Sequence, residues 1–292
     1  MQTTKNPFET ILEKAGAQNS GRKPEAPLCG HCGEPKEMKK IQHPILKNET
    51  RWVPIACECE IKAIDDFREE QKQKEKQNRI KKLLKLSSEL EDMRSKTFDN
   101  FIDREGTENA KKAVLEAVEE FESNSKGLFI FGETGNGKTH LTAAGGNELI
   151  KQGYAVIFIT EKDLFKRLDA TKNFRNEESF QEIMSACMDA DLLIWDDFLS
   201  SQRLSNDEKD YIFQITNGRE RANRPIWFTS NLTPQEMDSD EIAYRIDDRG
   251  RTWWRILANT RAVFNRGMNR RKATVMAQAY GVSVEDYENG RY

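Results

Sequence analysis

The sequence predicts an α/β protein in which helices flank a parallel sheet, with a small cysteine-bearing module and a helical linker ahead of it. Between residues 97 and 260, short apolar runs alternate with helix-like segments, which is typical of parallel strands joined by right-handed crossovers. A glycine-rich loop at 132–139 directly follows the first apolar run, and four of the five cysteines lie in the first sixty residues. These observations divide the chain into a module at 1–60, a linker at 61–96, an α/β domain at 97–260 and a basic tail at 261–292.

The α/β domain is predicted to begin at Thr97, and an amphipathic helix is predicted to follow around residues 113–121, where apolar residues recur at helical spacing. Buried strands are predicted at 128–131, 155–160, 192–196 and 225–231. The predicted helices between them begin at Lys138, span 161–168 and span 207–221. Ligands of parallel sheets bind at the carboxyl ends of the strands, so the glycine-rich loop, Asp196 and Asn231 are expected at one edge.

The glycine-rich loop reads G-E-T-G-N-G-K-T, which is the pattern of a phosphate-binding loop. Its glycines let backbone N–H groups turn towards a β-phosphate, Lys138 would reach the β- and γ-phosphates, and the Thr139 hydroxyl would bind Mg²⁺. The helix that begins at Lys138 directs its positive end at the same anion. A strand-to-helix turn without a ligand is the alternative, and the apolar run before the loop argues against it. The predicted nucleotide-binding residues are Gly132, Glu133, Thr134, Gly135, Asn136, Gly137, Lys138, Thr139 and His140.

The acid pair Asp196-Asp197 ends a second apolar run. By itself such a pair indicates a turn or a helix cap. Together with the phosphate-binding loop it predicts a Mg²⁺ site formed by Asp196 and Thr139, in a protein that binds ATP or GTP.

The cysteines of the first sixty residues form one C-G-H-C pair and one C-E-C pair. In a cytosolic protein such spacing indicates metal binding rather than disulfides, and four thiolates suit a tetrahedral structural Zn²⁺ site. His31 or His43 is an alternative ligand, and a redox pair or unliganded thiols are the alternative to a metal site. The predicted zinc ligands are Cys29, Cys32, Cys57 and Cys59.

Composition limits the location and the partners of the chain. Charged residues make up 33% of it, and no apolar stretch approaches the roughly 20 residues that cross a bilayer. The first residues form no apolar signal core, so we expect a cytoplasmic protein without membrane contact. The net charge is −3, which means that nucleic-acid binding would need local basic patches. The lysine-rich linker is either such a patch or a solvated helix.

The order of these motifs resembles the AAA+ ATPases of the DnaC/DnaI helicase-loader group, with the IstB transposition helpers as close relatives. The resemblance covers roughly residues 97–257, and the cysteine module on a charged linker resembles the DnaI type, of which similar loaders occur in phages. The residues that carry it are Thr97-Phe98-Asp99-Asn100-Phe101, residues 132–141, Leu193 to Asp197, Thr229-Ser230-Asn231-Leu232 and Tyr244 to Arg249.

The resemblance implies a role for each matching residue. Asp196 would hold Mg²⁺ through water, and Asp197 stands where AAA+ enzymes generally carry the glutamate that orients the attacking water. Asn231 matches the residue that senses the γ-phosphate. Arg249 matches the arginine finger that reaches the γ-phosphate of a neighbouring subunit, with Arg245 one turn away on the same helix face. A surface role remains the alternative for either arginine.

The function that the resemblance implies is that of a replicative helicase loader. Such a protein hydrolyses ATP slowly, as a switch, binds a hexameric replicative helicase of the DnaB/DnaC type, and delivers it to single-stranded DNA during replication initiation. It would self-associate into a ring or spiral on the helicase, with the zinc module as the docking element. The alternatives are a transposition helper that acts on duplex DNA and a zinc-ribbon regulator with a nucleotide-sensing site.

Two features near the end of the sequence extend these expectations. Trp253 and Trp254 are predicted to be core residues, whereas exposed aromatic rings beside arginines would indicate stacking on single-stranded DNA. The carboxyl-terminal thirty residues are basic and depart from the family pattern, and their role stays open.

Overall fold

The computed structural model describes residues 23–42, 50–84, 87, 90–121, 126–173 and 178–292. The chain divides into two units, residues 1–76 and 77–292. The division falls within a long helix, α1 (Glu58–Leu84). None of the helices in the described ranges is long and apolar enough to cross a membrane.

The amino-terminal unit is built on a β-hairpin that precedes α1. Strands β1 (Met38–Gln42) and β2 (Thr50–Pro54) pair antiparallel, with Met38 opposite Pro54. A single β-bridge between Leu28 and Pro35 closes the segment that carries the first cysteine pair. The second cysteine pair lies at the start of α1, so the two pairs are brought together by the hairpin between them.

A five-stranded parallel sheet forms the centre of the larger unit, in the order β4-β5-β6-β3-β7. Its first four strands along the chain are largely buried, as expected for a parallel sheet covered on both faces. The strands are β3 (Gly127–Phe131), β4 (Val156–Thr160), β5 (Leu192–Asp196), β6 (Ile226–Ser230) and β7 (Thr260–Phe264). The predicted α/β class with a parallel sheet is confirmed.

Helices cover the two faces of the sheet and end in a carboxyl-terminal helix pair. They are α2 (Leu90–Ser95), α3 (Glu108–Glu119), α4 (Lys138–Lys151), α5 (Glu161–Ala170), α6 (Phe180–Asp189), α7 (Asn206–Arg221), α8 (Pro234–Met237), α9 (Asp240–Ile246), α10 (Arg251–Ala258), α11 (Arg270–Tyr280) and α12 (Val284–Glu288). Alternate strand residues enter two separate apolar clusters, Phe129 in one and Leu128 in the other, because successive side chains of a strand point to opposite faces.

The helix after the phosphate-binding loop lies unusually close to its neighbours. A Cβ added at Gly145 of α4 would come within 2.6 Å of Val114 Cγ1 and 2.8 Å of Trp227 Cζ3. Only glycine therefore lets α4 approach α3 and the sheet at this point. This close packing positions the middle of α4, the helix that follows the loop.

Three expectations from the sequence differ from the structure. The continuous exposed helix expected over residues 61–96 is wrong for its last part, because Met93 of α2 is buried against α4 and Asn147 donates to the Met93 carbonyl oxygen at 2.8 Å. The sheet extends past residue 260, since β7 pairs with β3. Trp253 is fully buried as expected, but the core position expected for Trp254 is wrong, because that side chain lies 43% exposed on α10.

Candidate functional site

The glycine-rich loop connects the end of β3 to the start of α4. Gly132 and Gly137 have φ values of 140° and 97°, a backbone region that side chains with a Cβ rarely adopt. A Cβ at Gly132 would also lie 2.4 Å from the carbonyl oxygen of Asn265. The loop thus needs glycine for its path as well as for phosphate access.

Lys138 is 4% exposed, and its ammonium group lies over the loop. Its Nζ donates to the carbonyl oxygens of Gly132 at 2.9 Å and Glu133 at 2.8 Å. It also donates to Asn136 Oδ1 at 3.2 Å and to Asn231 Oδ1 at 3.0 Å. Burial lowers the pKa of Lys138 to about 8, against the opposing effect of nearby carboxylates. A bound triphosphate would replace neutral acceptors by charged oxygens at this position, which favours the ammonium form.

Asp196 lies at the end of β5 within a set of hydroxyl donors. Thr139 Oγ1 donates to Asp196 Oδ1 at 2.9 Å, and Thr229 Oγ1 donates to the same oxygen at 2.5 Å. Burial raises the pKa of Asp196 to about 6. A carboxylate and a threonine hydroxyl in contact are hard oxygen ligands of the kind that Mg²⁺ prefers, so these residues fit the ion.

Asp197 and Asn231 face each other across adjacent strand ends. Asn231 Nδ2 donates to Asp197 Oδ1 at 3.3 Å, while the Asp197 N–H donates to Thr229 Oγ1 at 3.0 Å. Asp197 has a φ of 51°, a left-handed conformation that is costly for a residue other than glycine. The acid is therefore held in one orientation by its backbone as well as by Asn231.

His140 anchors the segment that precedes α3. Its Nε2 lies 2.9 Å from the Thr97 carbonyl oxygen and 2.9 Å from Asn100 Oδ1, and its ring packs edge-on against Phe101 at 5.3 Å. The T-F-D-N-F segment is thereby fixed beside α4. His140 also lines the cavity that contains the phosphate-binding loop.

One cavity of about 660 Å³ joins these groups. It is lined by the loop, both acids and Asn231, and also by α11 through Arg270, Arg271, Thr274 and Val275. Sequence reasoning missed these α11 residues, because an Arg-Arg-Lys run late in a chain is typical of a basic tail. Asn269, which caps α11 by accepting the N–H of Lys272 at 3.0 Å, was the signal that a helix begins there.

The loop and the chain after β7 are joined by two buried amides. Asn136 Nδ2 donates to the Asn265 carbonyl oxygen at 2.9 Å, and Asn265 Nδ2 donates to the Asn136 carbonyl oxygen at 3.1 Å. Both side chains are at most 1% exposed. The Arg270 N–H also donates to the Gly135 carbonyl oxygen at 3.0 Å, so α11 starts against the loop.

The two candidate arginines have different surroundings, and neither is among the residues that line the cavity. Arg249 is exposed in the turn before α10. Arg245 is half-buried in α9, and its Nη2 donates to the carbonyl oxygens of Leu199, at 2.8 Å, and Ser201. Their expected place on one helix face is wrong, because α9 ends at Ile246 and Asp247 is extended.

The four cysteines of the amino-terminal unit form one cluster, with all sulfur atoms within 4.8 Å of one another. The Sγ separations include 2.9 Å for Cys57–Cys59 and 3.8 Å for Cys32–Cys57, and none of the four forms a disulfide. Four ligands at a Zn–S distance of about 2.3 Å lie about 3.8 Å apart in a tetrahedron, so this set fits zinc. Backbone N–H groups of Cys32 and His31 lower the pKa of Cys29 to about 6, whereas the hydrogen bond with the Cys57 side chain raises the pKa of Cys59. His31 is exposed, and His43 and residues 1–22 lie outside the described residues.

We expect one zinc ion per chain in the reduced protein, and Cys32→Ser should remove most of it. Three ligands hold zinc far less tightly than four, and structural zinc contributes about 10–16 kcal/mol in comparable small sites. Elemental analysis of the purified protein measures the stoichiometry. Cys187→Ala is the matched control, because Cys187 is buried in the other unit. Reduced wild-type protein without zinc would overturn the assignment.

These features define a class of protein. A parallel sheet with a phosphate-binding loop after β3, an acid pair at the end of β5 on the far side of β6, and helices on both faces is the AAA+ P-loop ATPase fold. The profile of the family described as "IstB-like ATP binding protein" matches residues 60–242. The chain belongs to that family.

Known proteins agree with this placement. The replicative helicase loader DnaC of Escherichia coli strain K12 is 34% identical over 157 residues, which cover 53% of this chain and 62% of DnaC. The chain thus spans about three fifths of the length of this curated relative. A crystal structure of DnaI is similar in fold, with a TM-score of 0.50 and 24% identity over 60% of this chain and 93% of that chain. A replication initiator DnaA bound to AMPPCP and single-stranded DNA has a TM-score of 0.51 and 26% identity over 66% of this chain and 58% of that chain.

Proposed function

We propose that this chain is a replicative helicase loader, which hydrolyses ATP and delivers a hexameric DNA helicase to single-stranded DNA at replication initiation. The observation that carries the proposal is the single cavity that gathers Lys138, Asp196, Asp197 and Asn231 in a chain similar to DnaC. The similarity to a DnaA structure that holds an ATP analogue and single-stranded DNA supports the same ligands here. A cytoplasmic site of action suits the four unpaired thiols, since thiols stay reduced there.

The cavity suits binding of a Mg²⁺-bound triphosphate. Loop N–H groups and Lys138 would take the β- and γ-phosphates, and Thr139 and Asp196 would hold Mg²⁺, which neutralises charge that develops on the phosphates. Arg270 and Arg271 of α11 also line the cavity and add two positive charges.

Hydrolysis requires a water placed in line with the γ-phosphorus. Asp197 is the carboxylate available to orient that water, and Asn231 fixes it from the side at 3.3 Å. Aspartate is one methylene shorter than the glutamate usual at this position. A longer carboxylate-to-water distance supports slow hydrolysis, in keeping with use of ATP as a switch.

An exposed aromatic ring supports the DNA part of the proposal. Trp254 lies on α10 three residues after Arg251, which is the spacing of neighbours on a helix surface. Base stacking on an exposed ring beside arginines is how many proteins hold single-stranded nucleic acid.

The amino-terminal unit carries the proposed helicase contact. Leu28, Ile61 and Phe67 are 68%, 48% and 43% exposed, beside or just after the cysteines. Contact with the helicase would bury these apolar side chains, which gives a docking surface its driving force.

A binding experiment with a purified replicative helicase hexamer tests the proposal. The full-length chain should retain the helicase on an affinity resin, and Ile61→Asp with Phe67→Asp should weaken retention at least tenfold. Lys62→Asp, which changes an exposed neighbour on the same helix, is the control. Undiminished retention by the double variant would reject docking through this unit, and no retention by the wild type would reject the loader function.

The family match makes a transposition helper the second candidate. The two candidates differ in the DNA that they prefer. Tighter binding to duplex than to single-stranded oligonucleotides of equal length, at one salt concentration, would favour the transposition helper.

A further inference from the structure

We propose that Glu161 and Arg245 are positioning residues that hold the turn carrying Asp197 and so set the rate of ATP hydrolysis from within the same chain. The turn comprises residues 197–201 and is called the post-β5 turn below. The inference rests on the proposed ATPase activity of the site. It gives Arg245 a role in its own subunit rather than at a neighbouring one.

Glu161 binds the amide side of the post-β5 turn. It is the first residue of α5, directly after β4, and is fully buried. Its carboxylate accepts the Leu199 N–H at 2.6 Å, the Ser201 N–H at 3.4 Å and the Ser200 hydroxyl at 3.3 Å. A carboxylate forms stronger hydrogen bonds with N–H donors than a neutral acceptor does.

Arg245 binds the carbonyl side of the same turn. Its Nη2 donates to the Leu199 and Ser201 carbonyl oxygens, so each of these two residues is bound by Glu161 through N–H and by Arg245 through C=O. A guanidinium presents its donors in a fixed plane, which a more flexible lysine cannot reproduce. Glu161 and Arg245 therefore bind the N–H and carbonyl groups of the same short segment, the post-β5 turn.

The post-β5 turn requires these hydrogen bonds because its backbone is strained. Asp197 and Leu199 have φ values of 51° and 59°, and neither is glycine. Left-handed residues of this kind cost about 1–3 kcal/mol each and persist only where their surroundings fix them. If the hydrogen bonds from Glu161 and Arg245 were lost, the backbone of the turn would relax. The Asp197 carboxylate would then lose its hydrogen bond with Asn231.

Phosphate binding should not depend on Glu161 or Arg245. Neither Glu161 nor Arg245 is among the residues that line the cavity, and neither contacts Lys138 or Thr139. The expected signature is a loss of kcat with little change in nucleotide affinity.

The experiment compares Glu161→Gln and Arg245→Ala with the wild type in the full-length chain. We expect kcat for ATP hydrolysis to fall about 10- to 100-fold, as for a misplaced catalytic group, while the Kd for a fluorescent ATP analogue changes less than about twofold. Arg245→Lys should recover only part of the rate, since one ammonium replaces a planar fork. Glu148→Gln is the control, because Glu148 pairs with Lys151 at an exposed site on α4.

A double-mutant cycle separates positioning from general damage to the fold. In an Asp197→Asn background, Glu161→Gln should reduce kcat less than about twofold further, because its effect passes through Asp197. Full additivity of the two losses would overturn the proposal. The proposal would also be overturned if Glu161→Gln and Arg245→Ala both hydrolysed ATP at the wild-type rate, provided that hydrolysis by the wild type depends on Lys138. Wild-type protein without Lys138-dependent hydrolysis would instead reject the ATPase function itself, and the positioning role with it.

Amide hydrogen exchange in the wild-type protein tests the hydrogen bonds between Glu161 and the post-β5 turn without any substitution. The Leu199 and Ser201 N–H groups should be protected in the wild type, since both are hydrogen-bonded to Glu161. Rapid exchange at both amides would overturn the proposal even if the variants failed to fold.

Discussion

Lys138→Ala is expected to weaken ATP binding at least about 30-fold and to abolish measurable hydrolysis. The ammonium group is the buried cation at the centre of the loop, with four acceptors around it. Removing a buried charge from a hydrogen-bonded partner costs about 2–5 kcal/mol, which corresponds to roughly 30- to several thousand-fold in affinity. Titration with a fluorescent ATP analogue measures the binding, and phosphate release measures the hydrolysis.

The control for this change lies on the same helix. Lys151→Ala removes an exposed lysine at the other end of α4, and it should bind ATP like the wild type. A thermal unfolding curve for each variant shows whether the loop lysine also contributes to folding. Wild-type affinity in Lys138→Ala would mean that the phosphates do not lie over this loop.

Arg249→Ala is expected to lower the rate of ATP hydrolysis about 10³-fold while nucleotide affinity stays within a few-fold. Arg249 is exposed and does not line the cavity of its own chain, so a catalytic role requires the site of a neighbouring subunit. Arginine fingers contribute about 10³- to 10⁵-fold because they stabilise the charge of the transition state. The rate is measured over a range of protein concentrations, because a role at a neighbouring subunit requires the subunits to associate.

Mixing two inactive variants distinguishes a role in a neighbouring subunit from a role in the same one. An Arg249→Ala subunit keeps its phosphate site, and a Lys138→Ala subunit keeps its arginine. In an equal mixture, about a quarter of the interfaces combine both intact halves if the subunits assort at random. Hydrolysis should therefore reappear on mixing. If it does not, or if Arg249→Ala loses ATP binding, Arg249 acts in its own subunit or in folding. Arg251→Ala, which alters an exposed arginine two residues later, should leave the rate unchanged.

The part of the site that sequence predicts well is the part with a local signature. The loop glycines and Lys138 lie close together in sequence, and Asp196 and Asn231 each end an apolar run. Parallel strands bring their carboxyl ends to one edge, so the meeting of these groups follows from the alternation of elements. The four cysteines were likewise predictable, because their spacing suits one metal site.

The contacts that sequence does not predict are those between side chains and distant backbone groups. Arg245 binds carbonyl oxygens more than 40 residues away, at Leu199 and Ser201, and any residue type would supply those oxygens. The place of α11 against the loop likewise depends on backbone contacts of Asn265 and Arg270. Residues 253 and 254 are both tryptophan, so residue type does not distinguish them. The orientation of α10 decides which one is buried.

The exchange of hydrogen bonds between Asn136 and Asn265 has a consequence for synthesis of the chain on the ribosome. The two residues are 129 positions apart, so the loop has emerged long before its partner is translated. At about 5–20 residues synthesised per second, that interval lasts on the order of ten seconds. During it, the loop lacks the buried amide that fixes Asn136 and the β7 strand that borders β3. The surroundings of the loop are therefore completed late in translation, after most of the sheet has been synthesised.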